Sequence, residues 1–293
     1  MSTLYTHQDS NNAKTWFLMI FLCALIIMVG WFLSYYYQSP IILYVGVFFS
    51  IGLNLFSYWF SDKVALAMAK AREAAPSDYV DYHRSVENLA ITAGLPKPRL
   101  YIIDDSVPNA FATGRNKEHA AIAVTTGLLA TLDKNELEGV LAHELSHIGN
   151  KDILISTIAV VLAGFLSIVA DMFLRSQLTG GKREGNNPLV IIGIVLVVLS
   201  PLAGAMIRLA ISRKREYLAD ASGALLTRYP EGLASALEKI SQYKTPLQHA
   251  NDSTAHLYIS NPFGAKAMKG MHGLFMTHPP IEKRIEILRG MGK

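Results

Sequence analysis

The segment His143-Glu144-Leu145-Ser146-His147 holds residue types whose spacing suits zinc chemistry. Residues four apart on a helix project from one face, one above the other. Two neutral imidazoles so placed can fill two of the four positions around a zinc ion. The carboxylate after the first of them can then reach a water on the ion rather than the ion itself. In a chain of this composition such a match arises by chance about once in a hundred, so its surroundings matter. Leu137, Val140, Leu141, Leu145 and Ile148 form one apolar face and predict a buried helix. Burying two imidazoles and a carboxylate without partners would be costly. The plainer alternative is a polar helix face near a membrane surface.

A hydrolytic zinc takes a third protein ligand and keeps one position open for water. The best candidate is Glu216, in Arg215-Glu216-Tyr217-Leu218-Ala219-Asp220. Glu216 and Asp220 are also four apart, so both face one way. Glu216 could hold the ion while Asp220 accepts the free N–H of a ligand histidine and fixes its tautomer. A solvated charged helix face has the same spacing, and spacing alone leaves both readings open.

The elements that must bring these helices together are set by four apolar blocks. Residues 16–37 and 41–60 carry no charge, 153–174 only Asp171, and 189–211 only Arg208. Each is long enough for a hydrocarbon core about 30 Å thick, which needs roughly 20 apolar residues in a helix. They pair as two hairpins, through Gln38-Ser39-Pro40 and through the polar 175–188 loop. A polar N-terminal tail, 1–15, precedes the first pair. An even number of spans puts 61–152 and 212–293 on one side, so the candidate helices leave the same membrane face. Lys14, Lys63, Lys70, Arg72, Lys151, Arg213, Lys214 and Arg215 near the span ends, against Arg175, Lys182 and Arg183 on the other side, favour a cytoplasmic location for the polar segments. Trp16 and Trp59 sit at span ends, as interfacial aromatics do.

Within the polar segments, the Ala-rich stretch 62–75 reads as a continuation of the second span's helix. A second helix covers 77–93 and stops at Gly94. Short strands follow at 99–103, 110–113 and 120–125, bounded by polar turns. Asp133 and Glu136 form a capping-box start for the helix through Ile148. Further helices cover 213–226, 231–242 and 280–289, and 244–273 is irregular.

Composition agrees with a membrane protein. Of the 293 residues, 51% are hydrophobic and only 17% charged, with a net charge of +4 and one cysteine, Cys23. A typical globular chain carries about 25% charged residues. Disorder, a disulfide scaffold and a nucleic-acid tail are excluded on these grounds, and the net charge is too small to argue for nucleic acid.

Four ordered motifs carry a family resemblance: Asn109-Ala110-Phe111-Ala112, the His143–His147 segment followed by Asp152, Arg215–Asp220, and Thr277-His278-Pro279-Pro280. Together they resemble the HtpX-type membrane zinc metalloproteases, bacterial relatives of the Ste24 CAAX prenyl proteases. The resemblance implies an α+β, mainly helical fold. Four transmembrane helices in two hairpins would carry a discontinuous, cytoplasmic gluzincin-like domain (61–152 and 212–293) with a small β-sheet. It implies one zinc ion held by His143, His147 and Glu216, with Glu144 as general base. His278 would support the oxyanion, Asp220 would back a ligand, and Asn109 would belong to the substrate-side wall. Asp152 and Arg284 also fit the pattern and read as structural.

The implied activity is hydrolysis of misfolded or damaged membrane proteins at the cytoplasmic face of the bacterial inner membrane, as part of a stress response. Its partners would be those substrates, the lipid bilayer and other quality-control proteases, with no nucleic acid. The alternatives are a CAAX-type prenyl-peptide protease and a non-enzymatic zinc-binding membrane scaffold. A scaffold has no use for Glu144, which favours an enzyme.

Overall fold

The computed structural model describes residues 4–161, 213–251, 253–264 and 279–291. The third and fourth expected spans beyond Val161, the 175–188 loop and His278 lie outside them.

Helix α1, Leu4–Tyr36, takes in most of the polar N-terminal segment as well as the first apolar block. Gln38 adopts φ 51°, and Ser39 N–H closes onto Ser34 O at 3.0 Å, turning the chain into α2, Pro40–Met68. Both helices are long and apolar enough to cross a membrane. Only 8% and 11% of their apolar windows are buried, unlike the core helix of a soluble protein. The last turns of α2 are different. Ala65, Leu66 and Ala69 are buried against Phe111, Ala121 and Ala123, so the apolar hairpin runs directly into the core of the polar domain.

The expected continuation of α2 to residue 75 is not formed. Ala71 N–H bonds Leu66 O and Lys70 N–H bonds Ala67 O, a left-handed helix stop with Lys70 at φ 50°. The chain then forms a short strand, β1, Arg72–Glu73. Helix α3, Val80–Ala93, ends at left-handed Gly94. Strands β2, Arg99–Ile103, β3, Ala110–Gly114, and β4, Ala120–Thr125, complete a sheet of order β1-β2-β4-β3. Strand β4 runs parallel to β2 and antiparallel to β3, which lies at the edge.

Alternation fixes which residues face which layer. Leu100, Ile102, Ala112, Ile122 and Val124 join the main core, while Ile103, Phe111, Ala121 and Ala123 face the end of α2. A short helix, α4, Thr126–Thr131, follows with Thr125 as its cap. Helix α5, Lys134–Gly149, begins with the reciprocal Asp133–Glu136 capping box. Its apolar residues Leu137, Val140, Leu141, Leu145 and Ile148 are all in the main core. Each such burial stabilises by about 1.5–3 kcal/mol, which anchors the helix that carries the two histidines.

Lys151, at φ 58°, ends α5 and starts α6, Asp152–Val161, where the described residues stop. Helix α7, Arg213–Thr227, crosses α5, and α8, Pro230–Ser241, packs beside both. Helix α9, Ile281–Met291, closes on α8.

Candidate metal centre

Helix α5 presents His143 and His147 toward α7, and one glycine sets how close the two helices come. A Cβ on Gly223 would lie 2.9 Å from the His143 backbone nitrogen, so only glycine lets α7 reach this depth. Two turns earlier on α7, Glu216 reaches the same point. His143 Nε2 and His147 Nε2 lie 3.2 Å apart. Glu216 Oε2 is 3.9 Å from the first, and Oε1 is 3.6 Å from the second. One ligand atom from each residue falls within 4.8 Å of the others.

These spacings test whether a metal fits. Atoms bound at 2.0–2.1 Å around a tetrahedral zinc sit about 3.3 Å from one another. Two imidazole nitrogens and a carboxylate facing each other at such range require a shared cation, either a proton or a metal. The residues therefore fit a three-ligand metal site. Among the described residues no other group of three His, Cys, Asp or Glu side chains offers one.

The outer nitrogen of each histidine faces a carboxylate. His147 Nδ1 lies 3.0 Å from Asp152 Oδ2. The left-handed Lys151 is what turns Asp152 back toward this ring. Asp152 in turn faces Arg215 Nη1 at 3.4 Å. His143 Nδ1 lies 2.9 Å from Asp220 Oδ1, although off the axis of a well-aligned hydrogen bond. Behind Asp220, Arg284 of α9 is fully buried and donates twice to that carboxylate, at 2.7 and 2.9 Å. It also donates to Ile259 O at 3.1 Å and lies 4.0 Å from Glu216. The arginine thus ties α9, α7 and the 258–261 segment together directly behind the cluster.

Charge follows from this packing. Burial raises the Glu144 carboxyl above its usual range, against the opposing pull of the two histidines. The backbone N–H of Ala112, on the edge strand β3, also favours the ionised carboxylate. Burial opposes a charge on His147, yet the Asp152 hydrogen bond and the Glu216 charge push it up to about 9. Burial would likewise raise Asp220, but Arg284 and His143 hold it down at about 2.

Of the residues singled out in the sequence, the structure brings together His143, Glu144, His147, Glu216 and Asp220. His278 is outside the described residues. Asn109 is buried at the start of β3, with its amide engaged by the chain itself. Its Nδ2 donates to Ser260 O at 3.0 Å, and its Oδ1 accepts from Ala110 N–H and Ser260 N–H. Two residues read as structural, Asp152 and Arg284, stand directly behind the cluster. Their spacing in the chain gives no sign of it, because both contacts are made only in the folded state.

A histidine pair, with His143 buried and His147 partly so, and a glutamate from a second helix, with a further carboxylate beside them and a small sheet edge alongside, define a metalloprotease. The chain belongs to peptidase family M48, whose model matches residues 76–292. A "Protease HtpX homolog" of Thermoanaerobacter pseudethanolicus is 45% identical, covering 99% of this chain and 98% of that protein. One of Pyrococcus furiosus is 46% identical over 94% of each. Among solved structures, S. mikatae Ste24p shares the fold at a TM-score of 0.50 and 19% identity. That match covers 97% of this chain and 67% of the other.

Proposed function

We propose that the chain is a zinc-dependent endopeptidase of the bacterial plasma membrane that cuts misfolded or damaged membrane proteins at the cytoplasmic face. The observation that carries this reading is the convergence of His143, His147 and Glu216 beside a buried Glu144. Those three side chains would hold the ion. When bound, zinc supplies Lewis-acid polarisation of a carbonyl and lowers the pKa of a water toward 7.

The remaining work falls to the chain's own residues. Glu144 takes the proton of the attacking water and delivers it to the leaving amine. Its burial favours holding that proton between the two steps. Asp152 and Asp220 fix the tautomers and orientations of His147 and His143. His278 is assigned to the developing oxyanion, on the strength of its Thr277-His278-Pro279-Pro280 motif. Substrate would lie along the edge strand β3 as an added strand, with main-chain hydrogen bonds and little sequence preference. Asn109 serves that side by holding Ser260 at the start of the strand.

Residence in a membrane is supported by the two exposed apolar helices and by Arg and Lys residues at the ends of the blocks. The polar parts, 61–152 and 212–293, are then one discontinuous domain on the cytoplasmic side. The 153–174 and 189–211 blocks are assigned to a second hairpin.

The test is cleavage of an unfolded membrane protein in proteoliposomes by the zinc-loaded wild type and by Glu144→Gln. A positioned general base contributes about 10²–10⁴ in rate, so the variant should fall by at least the lower figure while retaining zinc. Equal cleavage by both would remove Glu144 from the reaction.

A further inference from the structure

The β3–β4 turn returns to the end of the apolar hairpin and encloses a second candidate site with it. A cavity of about 410 Å³ is lined by Trp59, Phe60 and Lys63 of α2, by Arg99 at the start of β2, and by Arg115 of the turn. The turn is rigidly built. Gly114 has φ 143°, and a Cβ there would lie 2.6 Å from His119 O. Asn116 Oδ1 accepts His119 N–H at 3.0 Å. This geometry delivers the Arg115 guanidinium over the Trp59 ring, 4.5 Å from its centroid. Lys63 Nζ lies 5.3 Å from the Phe60 centroid.

Ring faces orient these two cations without neutralising them. Among the described residues neither has a carboxylate within 4 Å. The acids lining the cavity do not cancel the charge. Asp62 is paired with Arg99 at 2.6 Å, and the exposed Glu118 makes no ion pair among the described residues. Lys63 and Arg115 against Glu118 leave a net positive cavity, and His119 adds to it when protonated.

Depth along α2 says what would enter. Residues 41–60 are uncharged, and Asp62 and Lys63 are the first charges after them. Trp59 and Phe60, half exposed, stand where interfacial aromatics meet headgroups. We propose that this cavity binds the phosphate of an anionic phospholipid headgroup. The lipid would clamp the β3–β4 turn, and through it the edge strand, to the membrane surface. The inference rests on the membrane reading above.

The test uses the full-length protein in detergent micelles, titrated with phosphatidylglycerol or phosphatidylcholine, with bound lipids counted by native mass spectrometry. The wild type should retain one phosphatidylglycerol in clear preference to phosphatidylcholine. A basic side chain near an anionic surface contributes about fivefold, so Lys63→Gln/Arg115→Gln should weaken that lipid roughly 25-fold. Zinc content, melting temperature and peptidase rate in micelles should be unchanged, which shows that the variant folds. Arg115→Lys should keep most of the preference. Removing the same charge elsewhere, in Lys97→Gln/Lys134→Gln, should leave it intact.

Equal lipid retention by the wild type and the Lys63/Arg115 variant would overturn the proposal. Equal loss in the Lys97/Lys134 control would do so too, by making the effect one of diffuse charge. Displacement of the lipid by millimolar inorganic phosphate would assign the cavity to free phosphate instead. Flotation with vesicles separates the two readings. A wild type that floats but shows no headgroup preference defeats the lipid site alone, whereas one that does not float defeats both.

Discussion

His147 sits between two carboxylates, Asp152 on one ring nitrogen and Glu216 near the other, and this sets how the centre responds to pH. Its folded pKa is about 9, raised from 6.5, so the metal-free side chain holds a proton below about 9. Metal and proton compete for the same nitrogen. Zinc affinity should therefore strengthen by up to about tenfold per pH unit between 7 and 9, with up to one proton released from His147 per ion bound. Competition with a chromophoric chelator measures the first, and calorimetry in buffers of different ionisation enthalpy the second. Affinity that does not change over that range would remove the proton from His147.

Asp220 responds in the opposite direction. Its carboxyl, at about 2, lies below its ordinary 3.8, so its ion pair stabilises fully above 3.8 and fades as pH falls toward 2. Asp220→Asn leaves Arg284 buried with Glu216, 4.0 Å away, as its nearest acidic neighbour among the described residues. Losing one partner of a buried pair costs about 3–5 kcal/mol. Losing the carboxylate behind a ligand costs about 10–100-fold in metal affinity. Thermal melting and zinc competition on that variant should show both losses.

Helices α5 and α7 meet because Gly223 removes a side chain at their contact. Gly223→Ala would force the helices apart at His143, and overpacking of this kind costs about 1–3 kcal/mol. Its signature is a weaker metal site with the His143, His147 and Glu216 side chains all intact, visible as reduced zinc occupancy and an altered Co²⁺ absorption spectrum.

What the sequence revealed at this scale depended on local signals. Strands β2 and β4 were legible nearly to the residue, since the apolar runs 100–103 and 120–124 lie between Pro98 and Asp104 and between His119 and the α4 cap. The start of α5 was legible from its capping box. The end of α2 was not, because Lys70 rather than glycine takes the left-handed position and the Ala-rich sequence beyond it favours helix. Helix α4 was hidden for a different reason: Thr126–Thr131 is six residues long, too short for a helical period to show. The paired His143–His147 and Glu216–Asp220 spacings were legible as patterns. The Asp152 and Arg284 contacts depend on a left-handed Lys151 and on the packing of α9, and helical spacing encodes neither, although both residues fit the family pattern.

At the scale of the molecule, the sheet separates two cores, and the smaller of them spans the boundary between the apolar hairpin and the polar domain. The end of α2 packs on one face of the sheet, and α3, α5, α7 and α8 contribute to the core on the other. Strand β3 ties Thr157 of α6 through Thr113, and the residue before the strand, Asn109, holds Ser260. The centre is thus assembled from segments far apart in the chain. A ligand that bridges α5 and α7 should stabilise the whole fold by mass action.

The central claim is that His143, His147 and Glu216 hold the ion that Glu144 works beside. The measurement that tests it most directly is zinc content and proteolysis on the same preparations of wild type, Glu144→Gln and Glu216→Gln. One zinc per chain and cleavage are expected in the wild type, one zinc without cleavage in Glu144→Gln, and loss of both in Glu216→Gln. A Glu216→Gln protein that keeps its zinc and still cleaves would contradict the claim.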